Sequence, residues 1–160
     1  MSWLTKMLRN SWGFSLFCDD IRPEIGGKYS LMGVYQADIL FPSPAPFSVP
    51  KFGILVKYYE TIDSRTDDLS LRVYLPGDQK DAPTLTMPVP RPEIGPRPPD
   101  LEEDQERIFA ATVPIMFAPL IVTKEGYIKV RMFRGDIVTN LGSLKVRQIR
   151  PDEKILGFNA

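Results

Sequence analysis

Apolar residues recur at every second position along most of this chain, and sixteen prolines are spread among them. A period of two is the repeat of a strand with one buried face, whereas a buried helical face repeats every 3.6 residues. Proline inside a helix removes a hydrogen bond and collides with the preceding turn. The two features together predict an all-β chain. The clearest run is Leu69, Leu71, Val73 and Leu75, alternating with Ser70, Arg72 and Tyr74. Phe52, Ile54, Val56 and Tyr58 share one face of another strand, and Ile128, Val130 and Met132 one face of a third.

The remaining strands are read from the same period and from turn residues. Phe14 to Asp19 and Lys28 to Phe41 are predicted strands, separated by a polar turn at Asp19 to Glu24 and by Gly26-Gly27. Gly33, inside the second, predicts a bulge or a close backbone approach. Pro42, Pro44, Pro46 and Pro50 mark an extended surface connection. Thr84 to Met87 is a short edge strand, and Ile108 to Val122 forms one or two buried strands broken near Pro119. Arg134-Gly135-Asp136 spells an integrin-binding tripeptide but sits where a hairpin needs its glycine, so it reads as a turn. Asn140 to Ser143 reads as another turn, before Leu144, Val146 and Ile149 resume the alternation. About eight strands with short connections predict an antiparallel β-sandwich with one long proline-rich loop. A small closed barrel is the alternative.

That loop, Pro83 to Pro99, holds seven prolines and takes polyproline II character. Two of its stretches, Pro88 to Pro92 and Pro96 to Pro99, resemble ligands of polyproline-binding domains, although a rigid connection accounts for them equally. A short helical turn is expected from Leu101 to Arg107, where Asp100 follows a proline and precedes Glu103 by three residues. Residues 1–11 read as an N-terminal arm or short helix, 12–150 as a single sandwich domain, and 151–160 as a C-terminal tail. At 160 residues the chain can bury roughly 70% of its unfolded surface, enough for one core.

Composition closes most routes to catalysis. There is no histidine, hence neither the commonest general base nor the commonest metal ligand. The one cysteine, Cys18, excludes an intramolecular disulfide and any multi-cysteine zinc site. With no base nearby it reads as a small buried apolar group. No glycine-rich phosphate loop and no nucleophile elbow is present. The chain is therefore read as non-enzymatic, and no cofactor is expected. No apolar run approaches the ~20 residues that span a bilayer, so no membrane partner is expected. Lys6 and Arg9 interrupt the apolar residues of the first twelve positions, unlike a signal peptide.

Three groups remain as candidate sites. Asp19, Asp20 and Glu24 could offer oxygen ligands to calcium from a loop, but Arg22 and Lys28 lie close enough to neutralise them, so a structural turn is the competing reading. Trp3, Leu4, Met7 and Leu8 would fall on one face of a short helix and could dock on their own domain or enter a partner. Lys129, Arg131, Lys145 and Arg147 point away from the apolar faces of their strands, and would form a basic ribbon if those strands pair. Residues 124–150 carry seven basic and two acidic residues, while residues 60–106 carry twelve acidic and five basic. The ribbon could contact phosphates or the acidic part of a neighbouring copy. Aromatic residues do not interleave with the basic ones as a single-strand platform requires, so nucleic acid is the less favoured partner.

The stretch Phe17-Cys18-Asp19-Asp20-Ile21-Arg22-Pro23-Glu24-Ile25-Gly26-Gly27-Lys28-Tyr29-Ser30-Leu31-Met32-Gly33-Val34-Tyr35 resembles an uncharacterised family of small proteins from bacteria and their phages. The likeness extends more loosely through Gly126 to Val146, around Gly126-Tyr127. It implies a β-rich fold and a setting in the bacterial cytoplasm or a virion, and it carries no activity. The expected function is a structural or protein-interaction module, a virion component or host-factor binder acting through a protein partner or self-association. The alternative is a β module binding metal or a small ligand at Asp19, Asp20 and Glu24.

Overall fold

The alternation places its apolar residues in one core shared by two principal sheets. The computed structural model describes residues 11–62, 68–90, 93, 95–96, 99 and 107–153. These form twelve strands and no helix: β1 (Ser11–Cys18), β2 (Asp20–Glu24), β3 (Lys28–Met32), β4 (Ile39–Phe41), β5 (Phe47–Val49), β6 (Phe52–Thr61), β7 (Leu69–Tyr74), β8 (Leu85–Val89), β9 (Ile108–Phe117), β10 (Leu120–Val122), β11 (Gly126–Arg134) and β12 (Ile137–Gln148). Among the described residues no helix is long and apolar enough to cross a membrane. Trp3, Leu4, Met7 and Leu8 lie outside the described residues, as does the expected helical turn apart from Arg107.

A three-stranded sheet has the order β1-β6-β9, and a five-stranded sheet the order β4-β12-β11-β7-β8. Two-stranded pairs β2-β3 and β5-β10 complete the set. All pairings are antiparallel except β4 with β12, which is parallel. The core takes Phe52, Ile54, Val56 and Tyr58 from β6 and Leu69, Leu71 and Val73 from β7. Ile128, Val130 and Met132 of β11 and Leu141, Leu144 and Val146 of β12 join them. The alternation thus identified the inward faces of β6, β7 and β11 correctly, and on β12 those of Leu144 and Val146 but not of Leu141.

β1 lies beside the first half of β12, where Ser11 Oγ and Thr139 Oγ1 are 2.7 Å apart. Gly13 permits the approach to both neighbours: a Cβ at that position would stand 2.8 Å from Leu141 Cδ2 on β12 and 2.2 Å from the Lys57 carbonyl oxygen on β6. The same end of the interior is polar. Tyr58 Oη donates to Glu60 Oε2 at 2.9 Å, and Arg134 Nε lies 3.7 Å from that oxygen. Glu60 and Arg134 come from different sheets, so this pair joins them through the core.

Several boundaries differ from expectation, each for a local reason. Lys28 to Phe41 is not one strand. Gly33 adopts φ 64, and the chain turns back so that Tyr35 N donates to the Phe17 carbonyl at 2.8 Å. The close approach at Gly33 is to the Asp19 side chain rather than to a backbone. Asp20 to Glu24 is a strand instead of a turn, paired with β3 through Gly26 and Gly27, both at positive φ. The proline-marked connection before Pro50 contains β5, which pairs with β10. Asn140 to Ser143 is no turn: β12 runs through it, and a register shift opposite Val130 and Arg131 accommodates the extra residue Leu141. That residue is then buried in the core. The edge strand near Thr84 extends to Val89 and includes Pro88, which an edge position tolerates because one side of the strand needs no donors. The two-stranded excursions explain why twelve strands stand where about eight were expected.

Candidate functional site

Strand pairing decides which polar side chains meet. The carboxylates near Cys18 do not converge on a common point. Asp19 Oδ1 accepts from Tyr35 Oη at 2.6 Å, Asp20 Oδ2 from Arg22 Nε at 3.1 Å, and Glu24 Oε1 from Ser30 Oγ at 2.8 Å. Lys51 Nζ is 3.6 Å from Asp20 Oδ1. The Arg22 hydrogen bond is the chief reason that the Asp20 carboxyl is held below its ordinary range. Burial, and then the bond to Asp19, pushes the Tyr35 hydroxyl well above its usual value. Among the described residues no three His, Cys, Asp or Glu side chains gather as a metal would require. Cys18 is fully buried and its thiol is pushed up, first by desolvation.

The basic ribbon forms in part. β11 and β12 pair, and the register places Lys145 opposite Tyr127 and Lys129 opposite Ser143. Arg147 does not contribute free charge. Its guanidinium is held by Asp38 at 2.5 Å and by both Glu153 oxygens at 2.6 and 2.7 Å. The other side of β11 pairs with β7, which brings Arg72 directly opposite Arg131. Sequence reasoning missed Arg72 as part of this surface.

It also misjudged the aromatics. Tyr127, Lys129, Arg131 and Phe133 share one parity on β11, as do Arg72 and Tyr74 on β7. Aromatic and basic side chains therefore do interleave on the outer face of the five-stranded sheet. The Arg72 guanidinium lies 4.0 Å above the Phe133 ring, Arg131 5.5 Å from Tyr74, and Lys145 Nζ 6.0 Å from Tyr127. The signal was present in the odd-numbered positions of 127–133, but the partner strand that completes the pattern is over 50 residues away in sequence. Two open depressions flank Lys129 and Arg131. One, of about 460 Å³, is lined also by Tyr74, Gly126 and Tyr127, and the other, of about 300 Å³, by Asn140 and Ser143.

A second surface was not anticipated. The outer side of the three-stranded sheet carries the even residues of β1, with Trp12 opposite Tyr59, Phe14 opposite Lys57 and Leu16 opposite Leu55. Trp12 is 42% exposed and Phe14 47%, and Leu16, Ile108 and Met116 are exposed as well. The Trp12 and Tyr59 rings stack with centroids 5.5 Å apart. Lys57, the one charged side chain of the paired positions on this face, donates to Thr112 Oγ1 at 2.8 Å. At the far end the β2-β3 pair covers the sheet, and Ile21 and Leu31 pack on Cys18 and Leu55. No family model, curated protein or solved structure matches this chain.

Proposed function

We propose that the protein is a non-enzymatic interaction module that self-associates through the outer face of its three-stranded sheet. One observation carries the reading: Trp12, Phe14 and Leu16 stand in a row on one strand, with Tyr59 and Ile108 beside them on the same face. Scattered exposed apolar residues need no explanation, but an aligned group favours an interface. The face is nearly neutral, and its one lysine is already hydrogen-bonded to Thr112. It therefore offers little charge by which to select a foreign partner, and apolar, self-complementary surfaces are what homodimers use. Stacking two such faces, each on a chain read here as a two-layer sandwich, would give a four-layer dimer with the two three-stranded sheets about 10 Å apart at its centre.

The resemblance of Phe17 to Tyr35 to bacterial and phage proteins favours a virion component or a host-factor binder as the setting. The metal-binding alternative loses support because Asp19, Asp20 and Glu24 each have a separate protein partner. Sedimentation of the full chain tests the proposal. The wild type is expected to be dimeric at concentrations on the order of 100 μM, a modest affinity for a single sheet face. Combined Trp12→Ser and Phe14→Ser substitutions should give a monomer with an unchanged circular-dichroism spectrum. A monomeric wild type overturns the reading.

A further inference from the structure

We propose that the outer face of the five-stranded sheet binds single-stranded nucleic acid, with Lys129, Arg131, Lys145 and Arg72 on the phosphates and Tyr127 against a base. Arg72 and Arg131 are direct cross-strand neighbours. Like charges in that position destabilise a sheet, so this arrangement works against the fold unless an anion joins it. Among the described residues, none of these four cations has a carboxylate within ion-pair distance. Arg72 Nε is buried with no acceptor. The strand positions that share this face carry no acidic residue on β7, β8 or β11. Two carboxylates, Asp78 and Glu125, also line the larger depression. Both are engaged by backbone N–H groups, Asp78 by Leu75 and Thr84 and Glu125 by Gln148.

The aromatic groups select the ligand within the class of polyanions. Tyr127 is 48% exposed and lies beside Lys145, so one side of its ring is open to a flat partner. The Arg72 and Arg131 guanidiniums lie 4.0 and 5.5 Å from the Phe133 and Tyr74 ring centres, which keeps both cations close to the outer sheet face where a phosphate would meet them. A sheet face with exposed aromatic rings receives bases that are already unstacked, as in a single strand, whereas a duplex keeps its bases stacked on one another. The smaller depression, lined by Lys129, Arg131, Asn140 and Ser143, contains no acidic side chain and gives the backbone a path beside the base site. This surface is on a different sheet from the self-association face, so either can fail without the other.

Fluorescence anisotropy with a labelled oligothymidylate of about 16 nucleotides tests the proposal on the full chain. Binding is expected with Kd on the order of 10 μM at low salt, and a log–log salt slope of about −3 for four phosphate contacts. Combined Lys129→Gln and Lys145→Gln, both on the surface, should weaken binding at least about ten-fold with no change in melting temperature. Tyr127→Ala should weaken oligothymidylate by about ten-fold while leaving polyglutamate binding unchanged. Three results overturn the proposal. One is no binding at low salt. Another is binding that survives the lysine substitutions. The third is polyglutamate binding as tightly as the oligonucleotide with Tyr127→Ala without effect, which would assign the face to an acidic protein surface.

Discussion

Glu60 on β6 and Arg134 on β11 meet inside the protein, Oε2 to Nε at 3.7 Å, with each side chain only 3% exposed. Removing one partner of a buried pair leaves a desolvated charge behind, which costs about 3–5 kcal/mol. Glu60→Gln or Arg134→Met should each lower unfolding stability by that order in urea titrations. The double variant should lose less than the sum, because neither charge is then stranded. A loss below about 1 kcal/mol for both single variants would show that the pair does not couple the sheets.

Arg147 and Glu153 form a pair of the opposite kind, near the surface. The Arg147 hydrogen bonds, and next the Arg150 N–H, hold the Glu153 carboxyl down to about 2, from an ordinary 4.5. A depressed folded-state pKa contributes stability above the unfolded value and loses it as pH falls through the folded one. The melting temperature of Glu153→Gln should therefore lie below that of the wild type at neutral pH. The gap should close between about pH 4.5 and pH 2. A gap that persists unchanged at pH 2 would contradict the assignment.

Gly33 and Gly27 separate two costs of adding a methyl group. Both adopt positive φ, but a Cβ at Gly27 meets nothing within 4 Å, whereas one at Gly33 would fall 2.0 Å from Asp19 Oδ2. Gly27→Ala should cost only the backbone penalty, about 1 kcal/mol. Gly33→Ala should cost clearly more, because Asp19 must leave Tyr35 as well. Equal losses in denaturant midpoint would show that Asp19 moves aside freely.

The Cys18 thiol is enclosed, with Sγ directed to the Asp20 and Gly53 carbonyls at 3.4 and 3.7 Å. Desolvation raises its pKa, so the reactive thiolate is scarce as well as inaccessible. Ellman's reagent should fail to label the native chain on a timescale of minutes and should label one thiol after denaturation. Rapid native labelling would mean that the β2-β3 cover over Leu55 opens easily.

The all-β class and the inward faces of β6, β7 and β11 were legible in the sequence because alternation is a local property. Leu71 and Val73 declare the same buried face whatever strand lies beside them. The break near Pro119 was legible for the same reason, since proline acts on its own backbone, whereas Pro88, read as part of the loop, lies in β8 opposite Ser70. The bulge at Leu141 was not. Asn140 to Ser143 has the composition of a turn, and only pairing with β11 on one side and the approach of β1 on the other keep the chain extended there.

The surfaces depended on neighbours distant in sequence. Asp19, Asp20 and Glu24 lie close together along the chain, yet Tyr35, Lys51 and Ser30 draw them to separate partners. Arg147 looked like a free cation until folding placed Asp38 and Glu153 against it. Arg131 and Arg72 became opposed only when β11 paired with β7, and Trp12 met Tyr59 only when β1 paired with β6. Period and proline thus determined by themselves that the chain folds as strands and which side of most strands turns inward. Which outward side chains stand together was decided by strand register, a long-range property that no local pattern encodes.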